Sequence, residues 1–182
     1  MLLLKKLAWL PVALLLKCGP PGHRIIWSVL RLRQGFVLGV CIVVINIKDW
    51  SVLVIIKRRG FNPGACELPG GGIDAKDNSF ETAVIRELFQ ETNLIAKTIA
   101  WFGNYKSQRY KRSANAVYVV TEYEGNLKVN DEFEIEDVFF VPIIERTAWL
   151  EGEHLKRVEE VLAWIEKETG LSDEEFILEN KI

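Results

Sequence analysis

The run from Phe36 to Ile47 is almost unbroken in Val, Ile, Leu and Phe, and a short polar turn, Lys48, Asp49, Trp50, separates it from a second such run, Val52 to Ile56. A strand with one wet face alternates apolar and polar residues, so a continuous apolar strand must be buried on both faces. Two β-rich runs joined by a short turn predict a hairpin. Further short segments rich in β-branched or aromatic residues follow at Thr98 to Phe102, Ala116 to Tyr123 and Val138 to Pro142.

Two helical stretches lie among these strands. One runs from about Ser79 to Thr92; the other spans Glu153 to Glu168, where Leu155, Val158, Leu162 and Ile165 form one stripe and Gly170 is placed to end it. Ser172 to Glu175 has the spacing of a capping box and predicts a short terminal helix. This order of elements predicts an α/β sandwich with a mixed sheet.

Composition narrows the chemistry. A chain of 182 residues, 49% hydrophobic and 26% charged, has the profile of one globular domain that builds its core without a disulfide or structural metal. Its three cysteines, Cys18, Cys41 and Cys66, contain no CxxC pair, which argues for a reducing compartment, with the cytoplasm as the expected location. Only two histidines, His23 and His154, are present, so a Ser-His-Asp hydrolase or a His-ligated metal centre is a poor expectation.

The net charge of -2 hides an asymmetry. Residues 1–34 carry six basic groups and no acid, leaving the remainder at -8. This arm opens with two lysines and the apolar run Leu7 to Leu16, too short to span a membrane, and Lys17 stands where a cleavable signal would want a small residue. After Gly19 to Gly22, Arg24 to Leu32 reads as a basic amphipathic helix. Such a helix packs on the body or on a second subunit, making a homodimer, or it lies on an anionic membrane surface. The expected organisation is therefore a helical arm, 1–34, and a globular domain, 35–182.

The chemistry concentrates where Gly70, Gly71 and Gly72 precede the helix that bears Arg86, Glu87, Gln90 and Glu91. Consecutive glycines let the backbone turn sharply and approach a phosphate or metal closely. Positions 87, 90 and 91 stand at i, i+3 and i+4, so they project from one helix face. Two carboxylates there repel unless a hard divalent cation such as Mg²⁺ or Mn²⁺ bridges them, and that ion can also meet a phosphate.

From Gly72 to Leu94 the chain resembles the signature of the Nudix hydrolases, with Gly72, Arg86, Glu87, Leu88, Glu91 and Leu94 at the family's spacing. Asn78, Gln90 and Asn93 depart from it, replacing two Glu residues and a Gly. The flanking order of elements also resembles the family's α/β/α sandwich across roughly 35 to 170. The resemblance implies metal-assisted attack of water on phosphorus in a nucleoside diphosphate linked to another group. It also implies that Glu87 and Glu91 are metal ligands, that Glu87 helps to activate water, and that Arg86 orients Glu87. The carbonyl of Gly71 or Gly72 would complete the metal shell. Gln90 is expected as a further metal ligand through its amide oxygen, with no charge and no capacity as a base. Asn78 suits a helix start and Asn93 a left-handed helix end. A further carboxylate from a later loop is expected, with Glu134 chosen from the cluster Asp131 to Asp137.

Lys57, Arg58 and Arg59 end a strand shortly before the glycines, and Arg58 and Arg59 are expected to meet substrate phosphates. Arg109, in the loop Tyr105 to Arg112, has aromatic neighbours that suit a nucleobase or single-stranded RNA. Trp101, Trp149 and Trp164 are expected in the core or an interface, and Cys66 beside the glycines without a redox role. The alternative to an enzyme is a catalytically degenerate domain of this kind that binds a nucleotide, RNA or a membrane surface through its basic arm.

Overall fold

The computed structural model describes residues 37–60, 62–106 and 113–170. The arm, Arg109 and the segment from Ser172 onward lie outside these residues. In chain order the elements are β1 (Val37–Asn46), β2 (Ser51–Lys57), β3 (Cys66–Glu67), β4 (Gly70–Gly72), α1 (Phe80–Thr92), β5 (Ile95–Lys106), β6 (Ser113–Glu124) and β7 (Ile135–Pro142). A 3₁₀ turn (Ile143–Glu145), the short α2 (Arg146–Trp149) and α3 (Gly152–Thr169) follow.

The unbroken apolar run of β1 has a direct structural reason: its side chains alternate between two separate cores. Val40, Ile42 and Val44 pack with Ala83, Val84 and Leu88 of α1, whereas Cys41, Val43 and Ile45 pack with Val158, Val161 and Leu162 of α3. β2 divides its residues in the same way, Leu53 and Ile55 to the first core, Val52 and Val54 to the second. Each fully buried aliphatic side chain contributes ~1.5–3 kcal/mol. The result is an α/β/α sandwich with a mixed sheet: β1 runs parallel to β6 over Val37↔Ser113 to Val44↔Val120, and the other ladders are antiparallel.

The hairpin is smaller than expected. β1 and β2 pair only at Ile45↔Val52 and Asn46↔Ser51. Beyond the turn they diverge, β1 to β6 and β4, β2 to β7 and β3. That divergence opens a cleft between the strands, and the glycines line it.

The expected helix limits hold. Ser79 caps α1 by accepting the Thr82 N–H at 3.1 Å, and Asn93 closes it in the left-handed conformation, φ 59°, its N–H donating to the Phe89 carbonyl. Asn78 thus precedes the cap rather than forming it. Gly170 ends α3 at φ 73°. The tryptophan expectation fails for the core: Trp101, Trp149 and Trp164 are 60%, 44% and 38% exposed. Trp101 lies on β5, the edge strand that ends the strand order, and Trp149 and Trp164 meet Phe139 and Phe102 edge-on near the surface. Among the described residues the buried indole is that of Trp50, in the turn.

Candidate active site

The glycines form a strand, β4, rather than a loop, pairing Gly39↔Gly72, Val40↔Gly71 and Cys41↔Gly70 with β1. Two of them are required sterically. Gly70 has φ 149°, and a Cβ there would collide with the Val40 carbonyl oxygen. A Cβ on Gly71 would lie 2.6 Å from the carboxyl carbon of Glu87. The bare backbone of β4 is thus the surface on which the carboxylates of α1 rest.

Glu87 and Glu91, one helical turn apart, both reach this strand. Gly70 N–H donates to Glu91 Oε2 at 2.8 Å, while Lys57 Nζ at the end of β2 donates to Glu91 Oε1 at 2.6 Å. Glu91 is only 4% exposed, and burial pushes its carboxyl up to about 7 against the opposing pull of Lys57 and the Gly70 N–H. Burial also raises Glu87 above the usual carboxylate range, with Arg86 opposing it. Burial disfavours the Lys57 charge, yet Glu91 outweighs that effect and holds the ammonium above its ordinary value.

Arg86 is the hub of the other half of the site. Nε and Nη2 donate to Asp77 Oδ1 and Oδ2 at 3.0 and 2.7 Å, Nη1 to Glu87 Oε1 at 2.7 Å and Gln90 Oε1 at 2.9 Å, and Nη2 to the Gly72 carbonyl at 2.9 Å. All five guanidinium N–H groups therefore have acceptors. Hydrogen bonding to Asp77, set against partial burial, holds Arg86 well above its ordinary value. Asp77 is buried; burial disfavours its charge, but the Arg86 bonds and the Asp74 N–H outweigh that and keep its carboxyl below 3.8.

The structure thus brings Arg86, Glu87, Glu91, Gly70, Gly71 and Gly72 together, as the spacing implies. Gln90 takes a different side: it is exposed and turned to Arg86. The Gly72 carbonyl accepts from Arg86, while Gly70 bonds Glu91 through its N–H and Gly71 lies under the Glu87 carboxyl. Glu134 lines a cleft of about 1380 Å³ whose lining also includes Lys57, Arg59, β4 and His154. Arg59 lines that cleft, but Arg58 is exposed and does not; its N–H binds the Glu134 carbonyl at 2.8 Å. Cys66 lines the cleft as well, and burial pushes its thiol up to about 11, leaving it un-ionised and a poor nucleophile at neutral pH.

Asp77, Lys57 and the pair Glu67 and His154 are the site-wall residues that sequence reasoning missed or left unranked. The His154 Nδ1 accepts the Leu68 N–H at 3.2 Å, and its Nε2 stands 3.8 Å from Glu67 Oε2, which ties α3 to the strand leading into the glycines. Among the described residues no three His, Cys, Asp or Glu side chains cluster as a ready-made metal cage. Nor is any helix there long and apolar enough to cross a membrane.

Known proteins share this architecture. An ADP-ribose pyrophosphatase of Methanocaldococcus jannaschii is 28% identical over 120 residues, 64% of this chain and 69% of that protein. The NUDIX domain of Shewanella oneidensis NrtR, in a structure with ADP ribose, superposes with a TM-score of 0.67 at 22% identity, over 74% of this chain and 92% of the other. A MutT from Burkholderia pseudomallei gives 0.55 at 19% identity, over 69% and 95%. At such identities the two structures speak for the fold. The model of the NUDIX domain matches residues 35–165, which include β4 and the whole of α1. Well over half of the chain is covered by that match, and the chain belongs to the NUDIX family.

Proposed function

We propose that the protein hydrolyses the phosphoanhydride of a nucleoside diphosphate linked to a second group, with Mg²⁺ or Mn²⁺ held at Glu87 and Glu91. The observation that carries this reading is the convergence of the two carboxylates on the bare backbone of Gly70 and Gly71.

The donor set suits such an ion. Mg²⁺ keeps several waters and takes one or two carboxylates plus substrate phosphates, so two Glu side chains suffice where a full protein cage is absent. Each carboxylate oxygen has lone pairs beyond those used by Lys57, Arg86 and Gly70 N–H. When bound, the ion offsets phosphate charge and makes its water more acidic. Arg86, fixed by Asp77, holds Glu87 against Gly71, and Lys57 keeps the buried Glu91 charge compensated. Glu134, which lines the same cleft as β4 and Lys57, supplies a further carboxylate, and Arg59 meets phosphate. Water adds to one phosphorus, and the bridging oxygen leaves with the second phosphate.

ADP-ribose is the substrate this reading favours, because the curated relative is an ADP-ribose pyrophosphatase and the NrtR domain was solved with ADP ribose. The test is release of AMP and ribose 5-phosphate from ADP-ribose with Mg²⁺ or Mn²⁺, abolished by chelator. Turnover that survives metal removal overturns the metal assignment. Folded protein that leaves ADP-ribose, nucleotide sugars and nucleoside triphosphates intact with either ion overturns the activity.

A further inference from the structure

The cleft lining carries an aromatic side chain to which the hydrolytic chemistry assigns no role. Phe133 is 63% exposed, and the Arg59 guanidinium lies over its ring, 4.0 Å from carbon to centroid. Both residues line the cleft. With one ring face covered by Arg59 and so much of the side chain still exposed, the exposure belongs to the remaining face and edge.

The pair is held rigidly from behind. Asp131 Oδ1 accepts the N–H groups of Phe133 and Glu134 at 3.0 and 3.2 Å, and the Asp131 carbonyl accepts that of Ile135 at 2.9 Å. The Glu134 carbonyl in turn accepts the N–H groups of Arg58 and Arg59 at 2.8 and 3.4 Å. Backbone bonds thus lock the chain that carries Phe133 to the chain that carries Arg59. An exposed aromatic ring that is fixed in place, backed by a cation and set at the rim of a cleft whose floor is a glycine strand, matches a planar aromatic ligand with phosphates attached.

Resting on the hydrolase reading, we propose that Phe133, stacked on Arg59, is the shelf that takes the nucleobase of the substrate, so that these two residues set which end of the diphosphate enters the cleft. A base has two π-faces and stacks on such a ring with little regard to its hydrogen-bonding edge. A second ribose has no such face. The shelf therefore discriminates the nucleoside end of ADP-ribose from its terminal ribose.

The experiment is calorimetric titration of the full chain with AMP and with ribose 5-phosphate in Mg²⁺, for the wild type, Phe133→Ala, Phe133→Tyr and Arg59→Ala. AMP holds no anhydride, so turnover does not interfere. The wild type is expected to bind AMP about tenfold or more tightly than ribose 5-phosphate. Phe133→Ala removes that preference by weakening AMP alone, Phe133→Tyr keeps it, and Arg59→Ala weakens both probes through the lost phosphate contact while lowering the preference in part. Phe133 belongs to neither core, so thermal unfolding of these variants tracks the wild type.

Wild-type protein without a preference for AMP, or with no binding of either probe, overturns the shelf. So does a preference that survives Phe133→Ala, or a Phe133→Ala loss shared equally by both probes. A preference that depends on Phe133 in a protein that hydrolyses no diphosphate leaves the shelf standing and removes the activity. Metal-dependent turnover without that preference does the reverse.

Discussion

Helix α1 presents two carboxylates one turn apart, and the molecule holds them in opposite ways. Glu87 is gripped by Arg86, whose five N–H groups are all spoken for, three by α1 and β4 and two by the buried Asp77. Glu91 is met by a single flexible ammonium from the other branch of the sheet, Lys57, and by one backbone N–H. A planar guanidinium with every donor used fixes geometry, whereas an ammonium on a four-carbon stem compensates charge and gives way. The Glu87 half is therefore built as a scaffold, and the Glu91 half as one whose compensating cation, Lys57, is free to give way.

Replacing Glu91 with Gln breaks the Glu91 half and carries the largest expected effect. The amide keeps one acceptor oxygen, but its NH₂ then faces either Lys57 Nζ or Gly70 N–H, and the charge that would hold a cation is gone. Loss of a direct ligand should exceed the ~10–100-fold typical of groups in the shell behind it. The expected fall in kcat/KM for ADP-ribose is thus more than about 100-fold. A fall of less than about tenfold assigns metal binding elsewhere, Glu134 first.

Asp77→Asn tests the scaffold instead. The Asp77 side chain is 2% exposed and makes a two-pronged ion pair with Arg86, so the variant is expected to lose about 2–3 kcal/mol, read as a lower Tm. Its pH dependence has a definite sign. The folded protein holds the Asp77 carboxyl below 3.8, so the contribution is complete above that value and lost as pH falls through the lower, folded-state one. Asp77→Asn accordingly flattens the acid limb of the stability curve. A wild-type acid limb retained in the variant transfers that stabilisation to another carboxylate.

These two halves were unequally legible in the sequence. The spacing of Glu87 and Glu91 is local, one helical turn, and Ser79 and Asn93 mark the limits of that turn-bearing segment; the two-faced burial of β1 is likewise written in consecutive residues. Lys57 and Asp77 carry no such signal. Lys57 stands 34 residues from its partner at the end of a strand where three cations follow one another, and only the divergence of β1 from β2 selects the first of them. Asp77 lies in an irregular segment whose side chains have no periodicity, and burial turns it from a loop acid into the anchor of Arg86. Phe133 reads as one apolar residue in an acidic loop until Arg59 is found over its ring. Helical spacing is a short-range quantity; partners from other strands and loops become visible only when the chain is folded.

Gln90 sharpens the comparison by the smallest change. At i+4 from Arg86 and exposed, it already accepts Arg86 Nη1 at 2.9 Å, so it belongs to the scaffold half and not to the space between Glu91 and Gly70. A carboxylate at this position would accept the same bond and add one charge in water, where an i,i+4 ion pair on a helix contributes only about 0.3–0.5 kcal/mol. Gln90→Glu is therefore expected to shift stability by no more than about 0.5 kcal/mol and Mg²⁺ affinity, measured by metal titration of activity, by about two- to threefold. A gain of about tenfold or more would mean that the new carboxylate leaves Arg86 and enters the cation site, a rearrangement worth about 1.4 kcal/mol. In that event the five-donor grip on Glu87 is one acceptor short of rigid, and the two halves of the helix differ less than their present contacts imply.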